Sequence, residues 1–360
     1  MTLSDVDPGR FVLRPSTPDD LPAFERFAAA SAHGITTLPA DRQKLAERLD
    51  RSAHAFATSD DASGEEIYLF VLEDRATGGI VGTSGIAASA GFADRFYSYR
   101  NEFIVHASAA LGVSNRIHTL HLCHDLTDVT LLTSFYIEPA YERTLAPQLL
   151  SRARLLFIGA HPERFSDRIA AESPGLADDR GRCPFWDAVG RRFFGVDYPE
   201  IERLAGGRSK AFIAELLPHS PVYVPLLPEE AQWAIGQLHP VAELPFSILL
   251  DEGFDADTYI DIFDGGPTVE ARLAMLKTVG RMRHRQALVL REGAAAGAAP
   301  GAWQLVSTTR RDHFRAALAP DAGDAGSLPL PQATAAQLGV RDDDALLSAA
   351  LDAGGRPEDE

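Results

Sequence analysis

The almost wholly apolar stretch Leu131–Ile137, followed within a few residues by a change of period, constrains this chain most. A strand with no polar face has no side to show to water, so it belongs in the middle of a sheet. From Leu145 to Gly159 the spacing is helical: Leu145, Leu149, Ala153, Leu156 and Phe157 share one face, which predicts a helix packed on that sheet. Two more apolar runs, Ile67–Leu72 and Ile80–Ala88, flank Ala76-Thr77-Gly78-Gly79, whose glycines accept the positive φ of a tight turn, so an antiparallel hairpin is expected. Further strands are expected at Phe11–Pro15, Glu102–His106, Ile117–Leu122, Ile169–Glu172, Ala211–Leu216 and Tyr259–Phe263. Helices are expected at Leu21–Ala30, Asp41–Ser52, Phe185–Phe194, Pro228–Leu238 and Glu243–Gly253. The pattern predicts an α/β (α+β) chain in which a mixed sheet is flanked by helices.

With 360 residues and 45% hydrophobic content, the chain has enough material for about two domains. Beyond Met282 the composition turns to Ala, Gly and Asp, with short strands at Gln286–Arg291 and Trp303–Ser307, and a helix at Ala333–Leu338 capped by Gly339. A boundary is therefore set there: a main domain over 1–282, a small β-rich domain over 283–352, and a disordered tail over 353–360. A loop at Gly293–Gly301 is expected to be flexible.

The 34 basic and 51 acidic side chains give a net charge of −17, which repels phosphate backbones and anionic lipid, so neither nucleic acid nor membrane is expected as a partner. No apolar leader or membrane-length run is present, so the cytoplasm is the expected compartment. Cys123 and Cys183 lie about sixty positions apart without a CxxC partner, which indicates neither a disulfide framework nor a zinc site. His118, His121 and His124 do not converge on a strand or a helix, so no metal is expected.

Six blocks then recur in order: Tyr97-Ser98-Tyr99-Arg100, Val105-His106-Ala107-Ser108, Leu132-Thr133-Ser134-Phe135-Tyr136, His161-Pro162-Glu163-Arg164-Phe165, Pro184-Phe185-Trp186-Asp187-Ala188-Val189-Gly190, and Tyr259 to Thr268 through Asp261, Asp264, Gly265 and Gly266. Through them the chain resembles the arginine N-succinyltransferase family from about Phe11 to Arg283. The likeness is closest to the alpha subunits of its hetero-oligomeric arginine/ornithine members, around Ser89-Ala90-Gly91-Phe92 and His124-Asp125-Leu126-Thr127. The resemblance implies an acyl-CoA N-acyltransferase-like fold followed by a small β-barrel-like domain. It also implies transfer of a succinyl group from succinyl-CoA, a co-substrate, to the α-amino group of L-arginine and of L-ornithine in arginine catabolism, with no other cofactor and with a beta subunit as partner.

Several residues carry expected roles. The resemblance implies succinyl-CoA contact at Phe135, beside Ser134, and a proton-donor role for His239 in Leu238-His239-Pro240; imidazole titrates near neutrality and suits that task. The alternatives are a core phenylalanine and a helix-terminal histidine meeting unpaired carbonyls. In such folds the CoA pyrophosphate rests on a glycine-rich turn before a helix. Here that stretch has Arg143, but Leu145, Ala146 and Pro147 replace the glycines, and proline lacks the N–H a phosphate would use. Either CoA binds in a modified way or a partner subunit with an intact turn supplies it, which leaves open a non-catalytic role for this chain. Asp261, Asp264 and Glu215 are candidates to meet a guanidinium or ammonium, and His106 to touch substrate. Arg100 and Arg152 are candidates for the succinyl carboxylate or CoA phosphates.

Overall fold

A computed structural model describes residues 9–31, 38–58, 62–92, 94–178, 180–205, 215–291, 302–321 and 326–351. Its strands are β1 (Phe11–Pro15), β2 (Ile67–Asp74), β3 (Gly79–Ala87), β4 (Ser98–Ser108), β5 (Val113–Cys123), β6 (Thr130–Ile137), β7 (Arg168–Glu172), β8 (Val222–Tyr223), β9 (Asp255–Ile260), β10 (Pro267–Arg272), β11 (Arg283–Val289), β12 (Trp303–Thr308), β13 (Ala316–Pro320), β14 (Ser327–Leu330) and β15 (Ala345–Ala350). They join into one mixed sheet in the order β14-β11-β15-β12-β13-β1-β2-β3-β6-β7-β10-β9-β4-β5-β8. Two pairs are parallel, β6 with β7 and β11 with β14.

The expected hairpin is β2–β3, turned at Gly78 with φ +71°, a conformation that a side chain would disfavour. Helix α1 (Leu21–Ala30) and helix α2 (Arg42–Ala57) bury Phe24, Phe27, Leu45 and Leu49 against Leu69 and Val71 of β2. Helix α3 (Ala146–Ala160) follows β6 and is buried around nearly its whole circumference from Ala146 to Ile158. Its environment explains why: besides β1, β2, β3 and β6 it meets β12, β13, β15 and the helix Glu243–Glu252. Phe157 is the hub, in edge-on contact with Phe56, Phe70 and Phe314 at centroid separations of 5.5, 5.3 and 5.0 Å. Such pairs add about 0.5–1.5 kcal/mol each beyond burial.

Some sequence expectations shift. The Phe185–Phe194 helix is two short helices, Pro184–Ala188 and Arg191–Phe194, parted at Val189 and Gly190, and any Cβ on Gly190 would strike the Trp186 ring at 2.1 Å. Pro228–Leu238 shortens to the helix Glu229–Ala234. The strand expected at Tyr259–Phe263 ends at Ile260, and Asp261 onward forms a turn. Of the Ala211–Leu216 strand, residues 211–214 lie outside those described, and Glu215 and Leu216 lie in a turn. The tail 353–360 and the whole of the expected loop 293–301 are also outside them. No helix among the described residues is long and apolar enough to cross a membrane.

Candidate functional site

The sheet parts between its central parallel strands. β6 and β7 pair at Thr130↔Ile169 and Leu131↔Ala170 and no further, although β6 continues to Ile137. On its other edge β6 stays joined to β3, with an irregularity: Thr133 faces Gly85 and Tyr136 faces Thr83, so Ser134 and Phe135 share the single partner Ser84. This is a β-bulge, and Ser134 takes it up at φ +53°. A left-handed non-glycine residue costs about 1 kcal/mol, a strain that accumulates at ligand sites. Open α/β sheets take their ligands outside the carboxyl ends of parallel strands, where β6 and β7 diverge.

The opposite wall is the chain leaving β7. Ser173 N–H donates to Pro267 O at 3.0 Å, and Gly175 packs backbone to backbone on Gly266: a Cβ on Gly266 would lie 2.3 Å from Ser173 O. Asp264 binds this wall together, accepting from Gly175 N–H and Gly266 N–H at 2.8 Å each and from the Tyr198 hydroxyl at 3.4 Å. Asp261 accepts from Phe263 N–H at 2.6 Å and shapes the turn. Both carboxylates are buried. The half-buried His239 is held on the same wall: its N–H donates to Pro174 O at 2.8 Å, and its Nδ1 accepts from Val241 N–H at 3.3 Å. That capping bond makes Nε2 the ring nitrogen that carries the hydrogen, and no hydrogen-bond partner for it lies among the described residues.

Two arginines flank the bulge. From α2, Arg48 extends Nη2 to 3.3 Å from Ser134 Oγ, while its Nε is enclosed without a hydrogen-bond partner. From α3, buried Arg154 bonds, among the described residues, only Ser151, through Nε to its carbonyl and Nη2 to its hydroxyl at 3.0 Å each, and its Cζ lies 5.7 Å from the Phe135 ring centroid. Burial pulls Arg48 down to about 10, aided by nearby Arg51, and burial alone pulls Arg154 down to about 9. No other group among the described residues forms an ion pair with either.

The remaining candidates lie elsewhere. Arg143 is exposed beyond β6. In the first turn of α3 the Ala146 N–H is taken by Thr144 Oγ1 at 3.1 Å, Pro147 has none, and Leu149 N–H closes onto Leu145 O. His106 is exposed on the β4–β5 hairpin, 3.5 Å from the Tyr223 hydroxyl, and β4 stands four strand spacings, about 19 Å, from β6. Exposed Glu215 is not brought to the cleft by any contact among the described residues. Arg152 is occupied by Asp251 and Glu252, and Arg100 by Glu102 and Asp125. His118 meets Asn101, His121 meets Thr119, and His124 meets Arg95. Among the described residues no group of three His, Cys, Asp or Glu side chains is placed to hold a metal ion. The thiols of Cys123 and Cys183 are free.

Sequence reasoning missed Arg48 and Arg154. Arg48 lies between Leu45 and Leu49 at the margin of the buried stripe of α2, and Arg154 lies inside the apolar run of α3; a cation in either place is the available signal.

Fold and cleft together define a mixed α/β protein of the kind that receives a ligand where a parallel strand pair parts. Residues 11–278 match the family model described as arginine N-succinyltransferase beta subunit. The chain belongs to the arginine N-succinyltransferase family, a family of transferases. It is 51% identical over 272 residues to "Arginine N-succinyltransferase subunit alpha" of Pseudomonas aeruginosa, covering 76% of this chain and 80% of that protein. To the subunit beta of the same organism it is 38% identical over 327 residues, covering 91% and 94%. Among solved structures, the arginine/ornithine succinyltransferase subunit AI from Pseudomonas aeruginosa superposes with a TM-score of 0.85 at 43% identity, covering 96% of this chain and 99% of that one.

Proposed function

We propose that this chain transfers a succinyl group from succinyl-CoA to the α-amino group of L-arginine, and also of L-ornithine, as the alpha-type subunit of a cytoplasmic hetero-oligomer with a beta subunit. The observation that carries the reading is the parted β6–β7 pair with its bulge at Ser134, a geometry that supports an acyl-CoA N-acyltransferase-like fold over residues 1–282. The β-rich segment 283–352, whose strands gather around Ala287, Val306, Leu328 and Leu346, is read as the small barrel-like domain.

The thioester lies along β6 at Ser134 and Phe135, beyond the last β6–β7 pair, and a backbone N–H of this strand serves the developing oxyanion. The amine must lose a proton before it attacks the thioester carbon, and the departing thiolate must gain one. On the facing wall, His239 Nε2–H donates its proton to the thiolate sulfur as the C–S bond breaks, and the same nitrogen is reprotonated by the proton that the amine gives up as its nitrogen bonds the thioester carbon. Arg143 stands near the phosphate end as a partner for CoA. Asp261 and Asp264 serve by building the wall that carries His239, since their oxygens already hold backbone N–H groups.

A second reading, a non-catalytic subunit that supports a catalytic partner, draws on the first turn of α3, whose donors are mostly taken or missing. Thiol release from succinyl-CoA with arginine, by the purified chain and by the chain co-purified with its beta subunit, separates the two. Activity of the lone chain that falls about 100-fold or more in His239→Ala supports catalysis here. Activity only in the complex, indifferent to that substitution, supports the second reading.

A further inference from the structure

We propose that Arg48 anchors a substrate carboxylate at the bulge of β6. In a chain with 51 acidic and 34 basic side chains, an enclosed arginine ordinarily finds an acid, as Arg14 does in Asp20 and Glu73, and Arg152 in Asp251 and Glu252. Arg48 has none among the described residues. Among the described residues its one hydrogen bond is the 3.3 Å contact to Ser134 Oγ, and its enclosed Nε has no acceptor there. An enclosed guanidinium held without counter-charge disfavours the folded protein unless something anionic completes it. A carboxylate completes it with two parallel bonds, a geometry that the planar fork matches. Arg154, on the α3 side of the same two strand residues and without an acid of its own, adds a second uncompensated positive charge and so strengthens the pull on an anion.

The location selects the ligand. Ser134 is the residue that takes up the bulge, so a carboxylate on Arg48 belongs to a molecule lying in the mouth of the parted strands. This rests on the acyl-transfer reading, under which two substrates carry a carboxylate there: the succinyl tail of the donor and the α-carboxylate of the amino-acid acceptor.

The test uses the complex of both subunits, with Arg48→Gln and the charge-keeping Arg48→Lys in this chain. Calorimetric binding and steady-state KM are measured for succinyl-CoA against acetyl-CoA, and for arginine against agmatine, which lacks the carboxylate. The expected result is a loss of roughly 10- to 100-fold in Arg48→Gln for one carboxylate-bearing substrate, with its carboxylate-free analogue unchanged and partial recovery in Arg48→Lys. Loss confined to succinyl-CoA assigns the donor tail; loss confined to arginine assigns the acceptor. Equal affinities of wild type and Arg48→Gln for all four compounds overturn the proposal. Absence of succinyl transfer by the wild-type complex defeats the acyl-transfer reading instead, and the binding series still decides the role of Arg48. Near-wild-type melting of both variants, expected because no ion pair is broken, keeps the comparison clean.

Discussion

Arg152 and Arg154 stand two positions apart on α3 and are both buried, yet one faces acid and the other does not. Arg152 is held by Gln148, Asp251 and Glu252, and Glu252 in turn accepts from the N–H and hydroxyl of Thr278 at 2.9 and 2.7 Å. That network ties α3 to the helix Glu243–Glu252 and to Thr278. Arg154 turns toward Phe135, and among the described residues its hydrogen bonds go to Ser151 alone. The difference teaches how to read a buried cation: where the partners are built in, the residue holds elements together; where they are missing beside a parted strand, the charge is kept for something that arrives.

The largest expected effect breaks the paired side. Glu252→Ala leaves Arg152 with Gln148 and, as its acid, the half-exposed Asp251, and the loss of a fully buried partner should cost about 3–5 kcal/mol in urea unfolding. Succinyl transfer per folded molecule should be little changed, which would mark the network as structural. A smaller effect of opposite sign is expected on the other side. Arg154→Met removes an uncompensated buried charge at similar volume, so the variant should be as stable as wild type or more stable by about 1 kcal/mol. A loss as large as that of Glu252→Ala would erase the distinction.

The sequence made one half of this contrast easier to see than the other. β6 and α3 were legible because their periods differ, and the β2–β3 turn because Gly78 announces positive φ. The bulge was not, since Ser134 adopts its left-handed backbone without the glycine that usually advertises one. Only the sheet supplies that constraint, through the register that β3 imposes on β6. The short strands β13 and β15 were also hidden: each is brief and rich in alanine, and forms a strand because neighbours pair with it. Asp261 and Asp264 looked like ligands for a cationic substrate because spacing cannot reveal that nearby N–H groups claim them. His239 was singled out as a candidate proton donor through the resemblance, and the wall that presents it depends on Gly175 and Gly266 approaching more closely than any side chain permits.

The smallest expected effect lies at the rim of the paired side. Burial pushes the Asp251 carboxyl up, but hydrogen bonds from Lys277 and Arg152 outweigh it and hold it below its ordinary 3.8. A carboxyl depressed on folding stabilises the protein at pH values above its unfolded value, and that contribution is lost as the pH falls through the lower folded one. Asp251 is half exposed, so water screens the pair and Asp251→Asn should cost no more than about 1 kcal/mol at pH 7. The gap between wild type and Asp251→Asn in urea midpoint should close below about pH 3.8, whereas the Arg154→Met gap, which involves no carboxylate, should not close there. An Asp251→Asn gap that persists unchanged into acid would mean that Asp251 contributes packing rather than charge, and that Glu252 alone neutralises Arg152.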